Sequence, residues 1–201
     1  MGLYIHSLKP IPMELDRSYY LYVLDYGWDE PLGKTIHANF SRIADLAAKN
    51  EAIVLAGTDS RAFTDEILSA HVNDHQFSWS SINGEDGEEI LPALMISNIH
   101  PMRFRGEFPN YRFPKTKKGV ADEKLILIPL RGVCSSPTEV VVLIERIFSD
   151  IADKKPLTDF SIAKEITAGN SGSYLDAVIL KPSIWGMGVD IREIINRWRK
   201  K

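Results

Sequence analysis

Four short apolar runs punctuate the chain, at 19–24, 52–56, 91–97 and 125–130, each bounded by polar or turn-forming residues. They are continuous rather than alternating, rich in branched and aromatic side chains, and too short for ordinary helices. That pattern predicts strands buried on both faces. The clearest unit is Lys124 to Ile151, KLILIPLRGVCSSPTEVVVLIERIFSDI, where a strand over Leu125 to Leu130 leads to a helix. Ser135 or Ser136 can cap that helix, Pro137 suits its first turn, and Thr138 and Glu139 continue the helix-start pattern. Val141, Ile144, Ile147, Phe148 and Ile151 then recur at helical spacing, which lays an apolar stripe against a sheet.

The same reading extends along the chain. Leu3 to Leu8 suits a short edge strand, and Pro10 and Pro12 make an extended connector. Tyr19 to Leu24 ends in a loop over residues 25–31. Ile36, Phe40, Ile43 and Ala47 predict a helix leading to the run at 52–56, which stops at Gly57: a β-α-β unit. Thr58, Asp59 and Ser60 offer caps for a helix burying Phe63 and Ile67, with an end expected near residues 73–76. Residues 78–89 contain Asn83-Gly84 and Asp86-Gly87 and read as a surface excursion. Residues 98–122 lack periodicity and form an irregular basic and aromatic loop. Leu157 to Ile166 predicts a further helix closed by Gly169, Ala177 to Leu180 a strand, and Ile191, Ile194, Ile195 and Trp198 a terminal amphipathic helix. The alternation implies one α/β domain over 1–201, a three-layer αβα sandwich on a mostly parallel sheet of about five strands. Because residues 97–122 interrupt it, one antiparallel edge strand is also expected.

Composition narrows the class without naming an activity. With 201 residues, 44% hydrophobic and 25% charged, the chain has the proportions of a globular protein. A net charge of -3 points to neither nucleic acid nor an anionic membrane. The single cysteine excludes an internal disulfide framework. No apolar run approaches the roughly 20 residues that span a bilayer, and the first residues lack a secretory pattern. A cytoplasmic protein with no membrane partner is expected.

Ligands of open α/β sheets gather beyond the carboxyl ends of the strands, which selects the loops at 25–30, 57–60, 98–100, 131–136 and 181–188. Asp25 and Asp29 follow the first long strand and are candidates for acid–base catalysis, with Glu30 beside them. Cys134 near a helix start and Arg131 is a candidate thiol nucleophile, with His100 as a partner from the same edge; the competing reading is a buried, inert thiol. Asp59, Ser60, Arg131, Ser135 and Ser136 could present donors to an anion, although each also serves as an ordinary helix start. Arg103 and Arg105 open a stretch that continues through Arg112, Lys115, Lys117 and Lys118, interleaved with Phe104, Phe108, Tyr111 and Phe113. That mixture suits phosphates and stacked bases, or a loop pinned to the core. His71, Asp74 and His75 would share a face only if one helix ran through them; with Asn73-Asp74 read as a helix end, no metal site is expected. There is no GxGxxG, GxxxxGK[ST] or HExxH, and no cofactor is indicated. The sequence thus supports recognition of a small anionic, nucleotide-like ligand or of a partner protein in signalling or regulation. The alternatives are a hydrolase or transferase using the strand-end carboxylates or Cys134, and a nucleic-acid binder using the 102–118 segment.

Overall fold

The computed structural model describes residues 1–9, 11–12, 15–27, 29–75, 91–101, 125–167 and 178–180, with side chains of 69–75, 166–167 and 178–180 not described. The strands are β1 (Gly2–Ile5), β2 (Tyr19–Leu24), β3 (Ala52–Gly57), β4 (Ala93–Ser97), β5 (Leu125–Pro129) and β6 (Val178–Leu180). All the apolar runs read as strands therefore join one sheet, in the order β1-β3-β2-β4-β5-β6. The helices are α1 (Pro31–Ala38), α2 (Phe40–Lys49), α3 (Ser60–His75), α4 (Leu130–Val133), α5 (Pro137–Ala152) and α6 (Ser161–Thr167), with a 3-10 turn at Leu157–Asp159. None of the described helices is long and apolar enough to cross a membrane. The 78–89 excursion, the 102–118 segment with Arg103 and Arg105, the 181–188 loop and the expected terminal helix all lie outside the described residues.

The sheet is only partly parallel. β1, β3 and β2 run the same way, while β4 is antiparallel to both β2 and β5, and β6 is antiparallel to β5. The reversal expected at an edge thus also occurs inside the sheet, where Ala93 pairs with Leu24 and Ser97 with Tyr20. The alternation of element types could not reveal it, because a strand buried on both faces has the same apolar pattern whichever way it runs.

Burial on both faces accounts for the unbroken apolar runs. On β2, Tyr19, Leu21 and Val23 join one hydrophobic cluster and Tyr20, Tyr22 and Leu24 the other. The first cluster takes Leu32 and Ile36 of α1, Phe40 and Ile43 of α2, and Val140, Leu143, Ile144, Ile147, Phe148 and Ile151 of α5. The second takes Phe63, Ile67 and Leu68 of α3 together with Leu8 and Ile11. The stripe of α5 includes Val140 where Val141 was expected, since Val141 is only half-buried. The helix expected over 35–47 is two helices. Asn39 breaks them, leaving helical geometry at φ −101° and ψ 8° while its Nδ2 donates to the Thr35 carbonyl at 2.8 Å.

A buried carboxylate ties the end of α5 to α6. Asp150, 3% exposed, accepts from the Lys155 ammonium at 2.6 Å, the Ser161 amide at 2.6 Å and the Ser161 hydroxyl at 2.7 Å. Burial alone would push the Asp150 carboxyl up, but these donors hold it below its ordinary value.

The carboxyl end of β3 is packed without slack. A Cβ at Gly57 would lie 2.3 Å from Phe63 Cβ and 2.5 Å from the Asp59 carbonyl. Only glycine lets α3 start this close to the strand. Gly57→Ala is expected to destabilise the fold by about 1–3 kcal/mol, as overpacking does, measured by urea unfolding; an unchanged midpoint would show that α3 can move away freely.

Candidate functional site

β2 and β3 are adjacent and parallel, yet the helices that leave them go to opposite faces. α1 follows β2 into the first cluster, and α3 follows β3 into the second. A sheet must open a crevice at such a switch point, because no helix covers the strand ends there. A cleft of about 480 Å³ lies at this place, lined by residues from the ends of β1, β2 and β3, from one side of α1 as far as His37, from the start of α3, and by Pro92.

Its floor is Asp25, the first residue beyond β2, only 6% exposed. The Gly27 amide donates to Asp25 Oδ1 at 2.6 Å, a tight turn that Gly27 closes at φ +71°, and His37 Nε2 lies 2.7 Å from Oδ2. Ser60 adds a hydrogen bond from α3. Behind the carboxylate, fully buried Thr64 grips the same residue by its backbone: its Oγ1 accepts from the Asp25 amide at 3.0 Å and donates to the Asp25 carbonyl at 2.7 Å. Burial pushes the Asp25 carboxyl up, but the donors from His37, Gly27 and Ser60 outweigh it and hold it below its ordinary value. His37 is raised in turn, chiefly by its hydrogen bond to Asp25, against the opposing effect of burial. Because an ionised carboxylate only accepts, Nε2 must carry the proton of the shared bond, which fixes the ring and leaves Nδ1 to face the Tyr4 hydroxyl at 3.5 Å.

Tyr4 forms the opposite wall. It comes from the edge strand β1, is 49% exposed, and has its ring 4.3 Å from that of Phe40 and stacked at 6.5 Å on His37. The rim carries Glu30, whose Oε2 accepts from the Gly33 amide at 2.9 Å and so caps α1, and an Asp29–Lys34 ion pair. On the β3 side, Thr58 Oγ1 meets His6 Nδ1 at 2.6 Å.

No protein-family model, curated protein or solved structure matches the chain.

Of the residues singled out in the sequence, Asp25, Asp29 and Ser60 line this cleft. Asp59 sits beside it, with Oδ1 accepting from the Ala62 amide at 3.0 Å as the cap of α3. His100 does not come near: β4 is antiparallel to β2, so the residues after Ser97 emerge at the amino end of β2, where the buried His100 ring meets Tyr20 edge-on at 5.5 Å. It cannot partner Cys134, which lies beyond the other end of the sheet. Arg131, Cys134, Ser135 and Ser136 follow β5 at the same end as the cleft but are separated from β2 by β4, and none lines it. Ser136 caps α5, its hydroxyl accepting from the Glu139 amide, and the Ser135 amide donates to Glu139 Oε2 at 2.6 Å. Cys134 is buried in the first cluster, where burial and then the Glu139 charge push its thiol up to about 11. The buried position is the one that the competing reading of Cys134 expected. α3 runs to His75, within the expected end at 73–76; the side chains of His71, Asp74 and His75 lie outside the described ones, and no group of His, Cys, Asp or Glu that could hold a metal ion occurs among the described residues.

His37 and Tyr4 were not singled out from the sequence. A signal for His37 was present: Glu30, Gly33, Lys34 and His37 recur every three or four residues opposite the apolar Leu32 and Ile36, which marks the face of α1 turned to the crevice. Tyr4 carried no such signal, since it reaches His37 only through the pairing of β1 with β3.

Thr64→Val removes the hydroxyl that holds the Asp25 backbone, and is expected to cost about 1–3 kcal/mol by urea unfolding. Thr64→Ser should recover most of this. Asp25→Asn should lower the His37 titration midpoint, read by NMR of the imidazole protons; an unchanged midpoint would mean the contact does not persist in solution. The pair also sets a pH window. Asp25, being lowered, contributes stability above the unfolded carboxyl pKa and loses it as pH falls through its folded value; His37, being raised, contributes fully below the unfolded imidazole pKa and loses it as pH rises through its folded value. The Tm difference from an Asp25→Asn, His37→Gln double variant is therefore expected to be largest between about pH 4 and 6.5.

Proposed function

We propose that the chain is an enzyme, a hydrolase or transferase acting on a small molecule held in the cleft, with His37 as the proton-transferring group and Asp25 as its orienting carboxylate. The observation that carries this reading is the 2.7 Å contact between buried Asp25 and His37 Nε2 at the switch point of the sheet. A buried carboxylate behind an imidazole fixes its tautomer and stabilises the imidazolium that forms when the far nitrogen takes a proton. In the proposed step His37 removes a proton from an attacking hydroxyl or water and returns it to the departing group. Asp25 stays ionised throughout, and Thr64 acts through Asp25 as a positioning residue. We also read the two clusters as the cores on either side of a three-layer αβα sandwich, the arrangement in which a switch-point crevice serves ligands.

Recognition of an anionic ligand, the first expectation from the sequence, has less support from this lining. Its cations, Lys34 and His37, already face Asp29 and Asp25, and Glu30 adds further negative charge. Neither the helix-start serines at 135–136 nor Cys134 reaches the cleft, which leaves the thiol mechanism without a partner there.

The test is turnover of chromogenic esters, phosphoesters and glycosides by the chain and its variants. His37→Gln is expected to lower kcat by about 10²–10⁴-fold with KM little changed, and to remove the acid limb of the pH–rate profile. Cys134→Ser should keep full activity. Equal turnover by the chain and His37→Gln would sink the proposal.

A further inference from the structure

We infer that the ligand held in the cleft is a neutral, hydroxyl-bearing sugar ring, either free or as the ribose of a nucleoside; this names the ligand of the site proposed above and rests on that reading. Three independent properties of the lining converge on it. The first is charge. With Lys34 on Asp29 and His37 on Asp25, a phosphate entering the cleft would meet cations whose field is already cancelled, and would also meet the Glu30 carboxylate. A hydroxyl has the opposite preference, because an ionised carboxylate is an acceptor that needs donors, and adjacent sugar hydroxyls supply them. Acidic side chains at the same edge of α/β sheets bind ribose hydroxyls by this chemistry.

The second property is the wall made by Tyr4. Its ring is backed by Phe40 at 4.3 Å and by His37, which fixes its plane, yet the side chain remains half-exposed at the cleft. A fixed, exposed aromatic face beside carboxylates suits a ring with one apolar C–H face and a polar periphery; a flexible acyl chain or a compact anion would leave it uncovered. The third is size and donor balance. About 480 Å³ suits a small ring with one substituent, and the Thr58 and Ser60 hydroxyls on the β3 side both donate and accept, as ring hydroxyls require. Glu30 is anchored by the Gly33 amide through Oε2, so its carboxylate is held at the rim with little entropy left to lose on binding.

The experiment is ligand-observed saturation-transfer NMR on the full chain with adenosine, adenine, ribose, glucose and inorganic phosphate, followed by titration of each binder. Adenosine is expected to bind while phosphate at tenfold excess fails to displace it. Tyr4→Ala should weaken binding by about tenfold, Tyr4→Phe should leave it within about twofold, and Glu30→Gln, which preserves the helix cap, should weaken it by about tenfold. The sources separate by the probes: adenosine without free ribose or glucose assigns a nucleoside, whereas ribose or glucose binding with the same Tyr4 dependence assigns a free sugar. Phosphate displacing adenosine, adenine binding as well as adenosine, equal binding by all the variants, or no binding by any sugar-bearing probe would each overturn the inference. None of these outcomes depends on turnover, so the proton chemistry of His37, read by its titration and by kcat, stands or falls separately.

Discussion

A strand that is apolar on every residue is stable only when both of its faces are kept from water, and that constraint organises this molecule. β2 and β3 have no polar face to offer solvent, so the chain must send cover to each side of them. The α1–α2 segment goes one way and α3 the other. A helix pair laid on a single face would have closed the strand ends; helices on opposite faces leave them open. The cleft follows from the demand for burial, and its lining is whatever the chain carries just beyond the last buried position of each strand.

The residue β2 carries there is an aspartate, too deep to be solvated. A carboxylate taken from water is costly unless several donors converge on it. Among the described residues the fold meets this need twice, at Asp150 and at Asp25. Asp150 is surrounded by Lys155 and Ser161 and links α5 to α6. Asp25 is surrounded by Gly27, Ser60 and His37, with its backbone held by Thr64. The electrostatics are alike, but the partners differ in consequence. The Lys155 ammonium remains charged at any physiological pH, so the Asp150 network is a fastener. An imidazole ordinarily changes its protonation near neutrality and its second nitrogen faces the Tyr4 hydroxyl at the cleft, which is why we propose proton transfer for the Asp25 network and not for that of Asp150.

Distance along the chain measures how much of this is tertiary. Asp25 and Thr64 are 39 positions apart, and Tyr4 and His37 are 33 apart. Three parallel strand ends and helices on either side must be in place before any of these contacts forms. A single displaced element, such as α3 pushed off Gly57, loosens Thr64 and through it Asp25.

The apolar runs, the α5 cap at Ser136 and the stripes of α2, α3 and α5 were legible because each is a local pattern, set by spacing and by the chemistry of a few adjacent residues. So was the edge of the sheet where the cleft opens, whose lining includes Asp25, Asp29 and Ser60. The direction of β4 was not legible, since an apolar strand is equally buried whichever way it runs; that direction alone moved His100 to the far end of the sheet. For Cys134 the sequence left two readings open, a thiol at a helix start and a buried one, and only the packing placed it in the core. His37 and Tyr4 came together in the cleft lining only through the pairing of β1 with β3 and the packing of α1 beside them. Local sequence determined which segments are strands and helices and which residues cap them; the packing of those segments against one another decided which polar side chains share a cleft and what charge each carries there.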